Sequence, residues 1–92
     1  MAVEFVVSFP DTIKAIQAEH IMIKAGLHAE VMLLPPAIRT GCGLCLRLPL
    51  PEKCTAQKLL QENDITVKQF YTRTVINGKS EYSVLKEKSD GE

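Results

Sequence analysis

At ninety-two residues, 46% hydrophobic and 24% charged, the chain has the composition of one small globular domain. A domain of that size buries roughly 60–65% of its unfolded surface, enough for a single core without metal or disulfide support. Eleven basic residues balance eleven acidic ones, and three phenylalanines and two tyrosines stand without a tryptophan. That leaves neither the electrostatic field nor the stacking platform that nucleic acid or an anionic lipid surface would require.

Val3 to Phe9 is short, β-branched and aromatic, and almost continuously apolar. This is the signature of a central strand. Pro10 and Asp11 stop it, and Asp11 or Thr12 can cap the helix that follows. From Thr12 to Ala25 the spacing is helical, with Ala15, Ile16, Ala18, Met22, Ile23 and Ala25 on one broad arc. The alanines would let this helix approach a sheet closely. Glu19 interrupts the arc, so it is expected at the margin or paired with a cation, Arg39 or Arg47. Gly26 closes the helix.

A second strand is expected over His28 to Leu34, closed by Pro35-Pro36, and a third over Leu44 to Leu48. A second helix follows from Glu52 to Asn63 with Ala56, Leu59 and Leu60 inward. A fourth strand is expected from Ile65 to Ile76. Asn77-Gly78 is the strongest hairpin signal in the chain. It turns the backbone into a fifth strand from Ser80 to Leu85. The expected fold is therefore α+β, a ferredoxin-like split βαβ (βαββαβ) with an additional C-terminal hairpin strand. One domain is expected over residues 1–88, with a frayed tail at 89–92. Both helices would cover one sheet face, leaving the other open to a homodimer contact.

Chemistry concentrates between Pro35 and Arg47. The prolines bar a helix, Gly41 and Gly43 bracket Cys42, and Leu44, Leu46 and Leu48 then alternate at strand period. A thiol on such a turn, with Arg39 and Arg47 nearby to favour its anion, is a candidate nucleophile. Cys42-Gly43-Leu44-Cys45 is also a Cys-x-x-Cys, which keeps a dithiol pair open. However, the strand period places Cys45 on the sheet's second face, away from any helix dipole, where it reads as a small apolar residue. Cys54 falls in the first turn of the second helix, either tucked against the core or activated by the dipole. A zinc site lacks a second Cys-x-x-Cys or a paired histidine motif, and His20 reads as a solvated surface residue. No glycine-rich phosphate loop, Ser/His/Asp set or catalytic carboxylate pair is present, so no self-contained hydrolase or kinase is expected. Met1-Ala2-Val3-Glu4-Phe5 shows no basic region ahead of an apolar run, and no stretch is long enough to span a bilayer. Three cysteines in that setting point to a reducing, cytoplasmic compartment.

Phe9-Pro10, Ala15, Ala18-Glu19, Ala25-Gly26, Pro35-Pro36, Cys42-Gly43-Leu44 and Leu46-Arg47 together resemble the selenium/sulfur carrier protein-like family, small bacterial proteins. The similarity runs from about Val3 to Phe70. It implies that Cys42 is the carrier cysteine and gives Glu19 a part in holding the site arginine. Thr40-Gly41 and Cys45 depart from the family pattern, and the hairpin after Asn77 extends it. The resemblance implies a sulfur or selenium carrier holding a persulfide on Cys42. A sulfurtransferase or cysteine desulfurase would be the donor and a downstream protein the acceptor. No cofactor or metal is implied, and at most a relay component rather than a self-contained enzyme is expected. The alternatives are a Cys42/Cys45 dithiol redox protein and a non-catalytic ferredoxin-like interaction module.

Overall fold

The computed structural model describes residues 3–38 and 43–85. It shows an α+β fold of five strands and two helices: β1 (Val3–Ser8), α1 (Thr12–Lys24), β2 (Glu30–Leu33), β3 (Leu44–Pro49), α2 (Lys53–Glu62), β4 (Gln69–Ile76) and β5 (Lys79–Val84). A 3-10 turn, Leu50–Glu52, leads into α2. The strands lie in the order β2-β3-β1-β4-β5, and every neighbouring pair is antiparallel.

The continuous apolarity of β1 has a direct cause, because the strand is flanked on both sides by β3 and β4. Phe5, Val6, Val7 and Phe9 are all fully buried. Alternation sends Phe5 and Val7 to one face, where Leu46, Leu48, Ala15, Ala18, Met22, Ala56 and Leu60 complete the main core. Phe5 stacks on Phe70 with ring centroids 5.4 Å apart. Both helices therefore pack on this face. The other face carries a smaller cluster of Val6, Ile38, Cys45 and Tyr71, with Met32, Leu34 and Tyr82 packed against it. Among the described residues Ser8 is the buried polar one, and its hydroxyl donates to the Gln69 carbonyl at 3.3 Å.

Asp11 caps α1, its carboxylate accepting the Lys14 N–H at 2.9 Å. That hydrogen bond, foremost, holds the Asp11 carboxyl below its usual range. The two helices end in the same way. Gly26, at φ +90°, donates to the Ile23 carbonyl while Leu27 donates to Met22. Asp64, at φ +54°, donates to Gln61 while Ile65 donates to Leu60. Each is a Schellman turn that satisfies carbonyls the helix leaves over, with an apolar residue folded back on the last turn.

Those turns explain two shortened strands. Leu27 and Ile65 direct their N–H groups into helix ends, and His28 donates its own to Glu52. As a result β2 begins at Glu30 rather than His28, and β4 at Gln69 rather than Ile65. Asn77 (φ +52°) and Gly78 (φ +79°) form the expected tight hairpin. The arc assigned to α1 is narrower than expected. Ala15, Ala18 and Met22 are buried, whereas Ile16, Ile23 and Ala25 are exposed. Close approach to the sheet selects the small side chains and turns the branched ones outward.

Candidate functional site

The connection between β2 and β3 carries the expected thiol. Arg39, Thr40, Gly41 and Cys42 lie outside the described residues, so the site is built from what stands on either side. On the entering side, Pro35 starts a turn closed by the Ile38 N–H donating to the Pro35 carbonyl at 2.9 Å. Ile38 is 3% exposed and lies in the helix-free cluster with Val6, Cys45 and Tyr71. On the leaving side, the Gly43 carbonyl accepts the Leu34 N–H at 2.9 Å, continuing the β2–β3 ladder beyond the Leu33–Leu44 pair. Four residues thus separate a buried isoleucine from a strand-anchored glycine.

Gly43 is exposed, its φ lies outside the left-handed region, and a Cβ there would meet nothing within 4 Å among the described residues. The conformation of Gly43 therefore does not itself require glycine, while Gly41 and Cys42, the rest of the expected turn, lie outside the described residues. What Gly43 contributes is an exposed position without a side chain, next in sequence to Cys42.

Cys45 is fully buried under Ile38 on the second face, where alternation put it. Cys54 is exposed in the first turn of α2, not tucked against the core. His20 is exposed, as expected. Arg47 sits on the helix-free face, where its guanidinium donates to Glu30 and its Nε lies 3.7 Å from Glu4 Oε2. The hydrogen bond to Glu30, with the nearby Glu4 charge, raises its pKa against the lowering effect of burial. Glu19 is half-buried on α1, on the opposite side of the sheet. The expected Glu19–Arg47 pairing is thus replaced by a sheet-borne one, because odd and even strand positions face opposite ways. A pairing with Arg39 falls outside the described residues.

Two groupings escaped the sequence reading. Glu30, Arg47, Glu4 and Arg73 form a ladder of alternating charge across β2, β3, β1 and β4, with Arg73 Nη1 donating to Glu4 Oε1. The signal was available: Glu4 and Arg73 interrupt otherwise uncharged strands at matching phase, and they pair directly in register. The second is the His28–Glu52 clasp, where Nδ1–H donates to Oε2 at 2.6 Å. Nothing in local spacing announces a contact across 24 residues. A concavity of about 350 Å³ between these groups is lined by Glu4, His28, Glu30 and Arg47. Among the described residues, no three His, Cys, Asp or Glu side chains are grouped to hold a metal ion.

The family described as "Putative Se/S carrier protein-like" matches residues 4–72, from the start of β1 into β4. The chain belongs to this family. The match takes in the whole connection between β2 and β3 and stops before the β5 hairpin, which is the extension expected from the sequence. No curated protein and no solved structure matches this Se/S carrier-like chain. None of its described helices is long and apolar enough to cross a membrane.

Proposed function

We propose that the chain is a cytoplasmic sulfur or selenium carrier that holds its cargo on Cys42. The observation that carries the reading is the family match across the connection bearing Cys42, flanked by a buried anchor at Ile38 and an open glycine at Gly43. The Cys42 thiolate attacks the terminal sulfur of a persulfide on a sulfurtransferase or cysteine desulfurase. The donor's S–S bond breaks, its cysteine leaves as a thiolate, and Cys42 retains the persulfide. An acceptor thiolate then repeats the exchange, so no external oxidant or reductant enters. Selenium would follow the same course as a selenosulfide. Arg39 is the local cation assigned to the anion, since Arg47 is engaged by Glu30 and Glu4. Gly41 and Gly43 leave the partner room to approach.

The scaffold reading that goes with this is a ferredoxin-like split βαβ sheet. Its support is β1 and β3 at the centre of the β2-β3-β1-β4 order, with both helices packed on one face. The test is mass spectrometry of the full chain after incubation with a cysteine desulfurase and cysteine. Cys42 should become roughly 32 Da heavier, reversibly on reduction. An adduct that survives Cys42→Ala, or no adduct at all, removes the proposal.

A further inference from the structure

Three of the large apolar residues that remain exposed, Ile13 (68%), Ile16 (51%) and Ile23 (53%), lie on α1. They are not scattered. With His20 they occupy positions 13, 16, 20 and 23, alternating steps of three and four, which is the a/d spacing of a coiled-coil seam. The seam points away from the sheet, since Ala15, Ala18 and Met22 are the buried side of the helix. Beside it runs a groove of about 480 Å³ lined by Ile16, Gln17, His20, Ile21, Asn63 and Ile65.

The flanking positions specify the occupant. Position 19 precedes a seam residue and position 24 follows one, so they are g and e positions five residues apart. In a parallel pair of identical helices, a g residue meets the e residue five positions later on its partner. That places Glu19 against the partner's Lys24 twice, once on each side of the twofold axis, and Thr12 against Gln17. Within the chain, among the described residues, neither Glu19 nor Lys24 makes an ion pair. An antiparallel pair would instead set Glu19 against Glu19. We infer that α1 is a self-association surface, and that its occupant is α1 of a second copy of this chain, aligned parallel. His20 at a seam position sets the register at a cost in strength. Thirteen residues of helix give a seam about 20 Å long, short of a standard interface, so the dimer is weak and reversible.

The helix-free sheet face is the rival surface, and it has less bare hydrocarbon. Ile38, Leu34 and the Glu30–Arg47–Glu4–Arg73 ladder occupy much of it.

Sedimentation equilibrium of the full chain at low salt tests the inference. Wild type should dimerise reversibly with concentration, and Ile16→Glu/Ile23→Glu should stay monomeric with an unchanged circular dichroism melt. Glu19→Lys, at a half-buried position, and Lys24→Glu, at an exposed one, should each weaken association about five- to tenfold, and combining them should restore it. A wild type that remains monomeric at millimolar concentration overturns the proposal. So does a dimer that survives the isoleucine changes, one abolished by Val84→Glu on the sheet instead, or a double charge swap that fails to restore association.

Discussion

Glu52 grips His28 at two points, accepting its backbone N–H at 2.8 Å and its ring Nδ1–H at 2.6 Å. One carboxylate thus ties the turn before α2 to the approach of β2, and fixes where β2 can begin. Burial pushes the Glu52 carboxyl up, but the two His28 hydrogen bonds and the His28 charge together bring it below the usual range. A lowered carboxyl pKa stabilises the fold above the unfolded value, and that contribution disappears as pH falls through the folded one. Thermal melts between pH 6 and pH 3 should therefore show wild type losing more stability on acidification than Glu52→Gln. Parallel curves for the two proteins would mean the clasp contributes nothing in solution.

Glu4 lies between two arginines, and its removal should be felt by both. Arg47 and Arg73 are about one-third and one-fifth exposed, at 32% and 22%, whereas Glu30 at the end of the ladder is 65% exposed. Glu4→Ala leaves two partly desolvated cations adjacent and should cost about 1–2 kcal/mol. Glu30→Ala removes an outer, solvated partner and should cost no more than about 0.5 kcal/mol. Urea midpoints of the two variants give the comparison, and equal losses would contradict this ordering.

Local chemistry made most of this architecture legible. The apolar run of β1, the Asp11 cap, the glycine after α1 and the Asn77-Gly78 hairpin are each decided within a few residues, and each appears as expected. Illegible features depend on contacts far apart in sequence. Periodicity put Ile16 and Ile23 on the same arc as Ala15 and Ala18, but it could not say which part of a wide arc would meet the sheet. Glu19 on an apolar arc calls for a cation, and Arg47 is a candidate in sequence; strand alternation instead turns Arg47 to the helix-free face, away from α1. Ile38 gave no local sign of its burial against Val6 and Tyr71. Of the site itself, Cys42, Gly41 and Arg39 lie outside the described residues, so the sequence and the family match remain their basis.

Asp64 occupies a conformation that costs any residue with a side chain. Its φ of +54° is imposed by the Schellman turn ending α2, where Gly26 serves at the equivalent place after α1. Asp64→Gly should stabilise the protein by about 0.5–1 kcal/mol, raising the melting temperature by about 3–6 °C. A melting temperature that falls instead would show that the Asp64 side chain contributes more than its backbone strain costs.

Gly43 separates the needs of folding from those of partner access. Its backbone is unstrained and its Cβ position is open among the described residues, so Gly43→Leu should leave stability within about 0.5 kcal/mol of wild type. On the carrier reading, the same bulk beside Cys42 should slow loading from a protein persulfide donor at least several-fold. Loading from a small inorganic polysulfide should be unaffected. Equal slowing with both donors would mean that residue 43 acts on the thiol itself rather than on the approach of a partner.

Ile38 is the last described residue before the Cys42 segment and one of the most buried in the connection, at 3% exposure. Its side chain closes the second-face cluster over Cys45, and its N–H closes the Pro35 turn, so it ties the incoming end of the segment to the sheet. Truncation to alanine removes three carbons from a packed site and should cost about 2–4 kcal/mol, while Ile38→Val should cost about 1 kcal/mol. The consequence for chemistry is separable from the stability loss. If the anchor also fixes the setting of the thiol, the pH dependence of Cys42 alkylation should shift in Ile38→Ala under conditions where the variant is fully folded. Ile38→Val should keep the wild-type profile. Measured in a Cys54→Ser background, which removes the exposed competing thiol, an unchanged profile in Ile38→Ala would show that the anchor holds the fold but not the reactive sulfur.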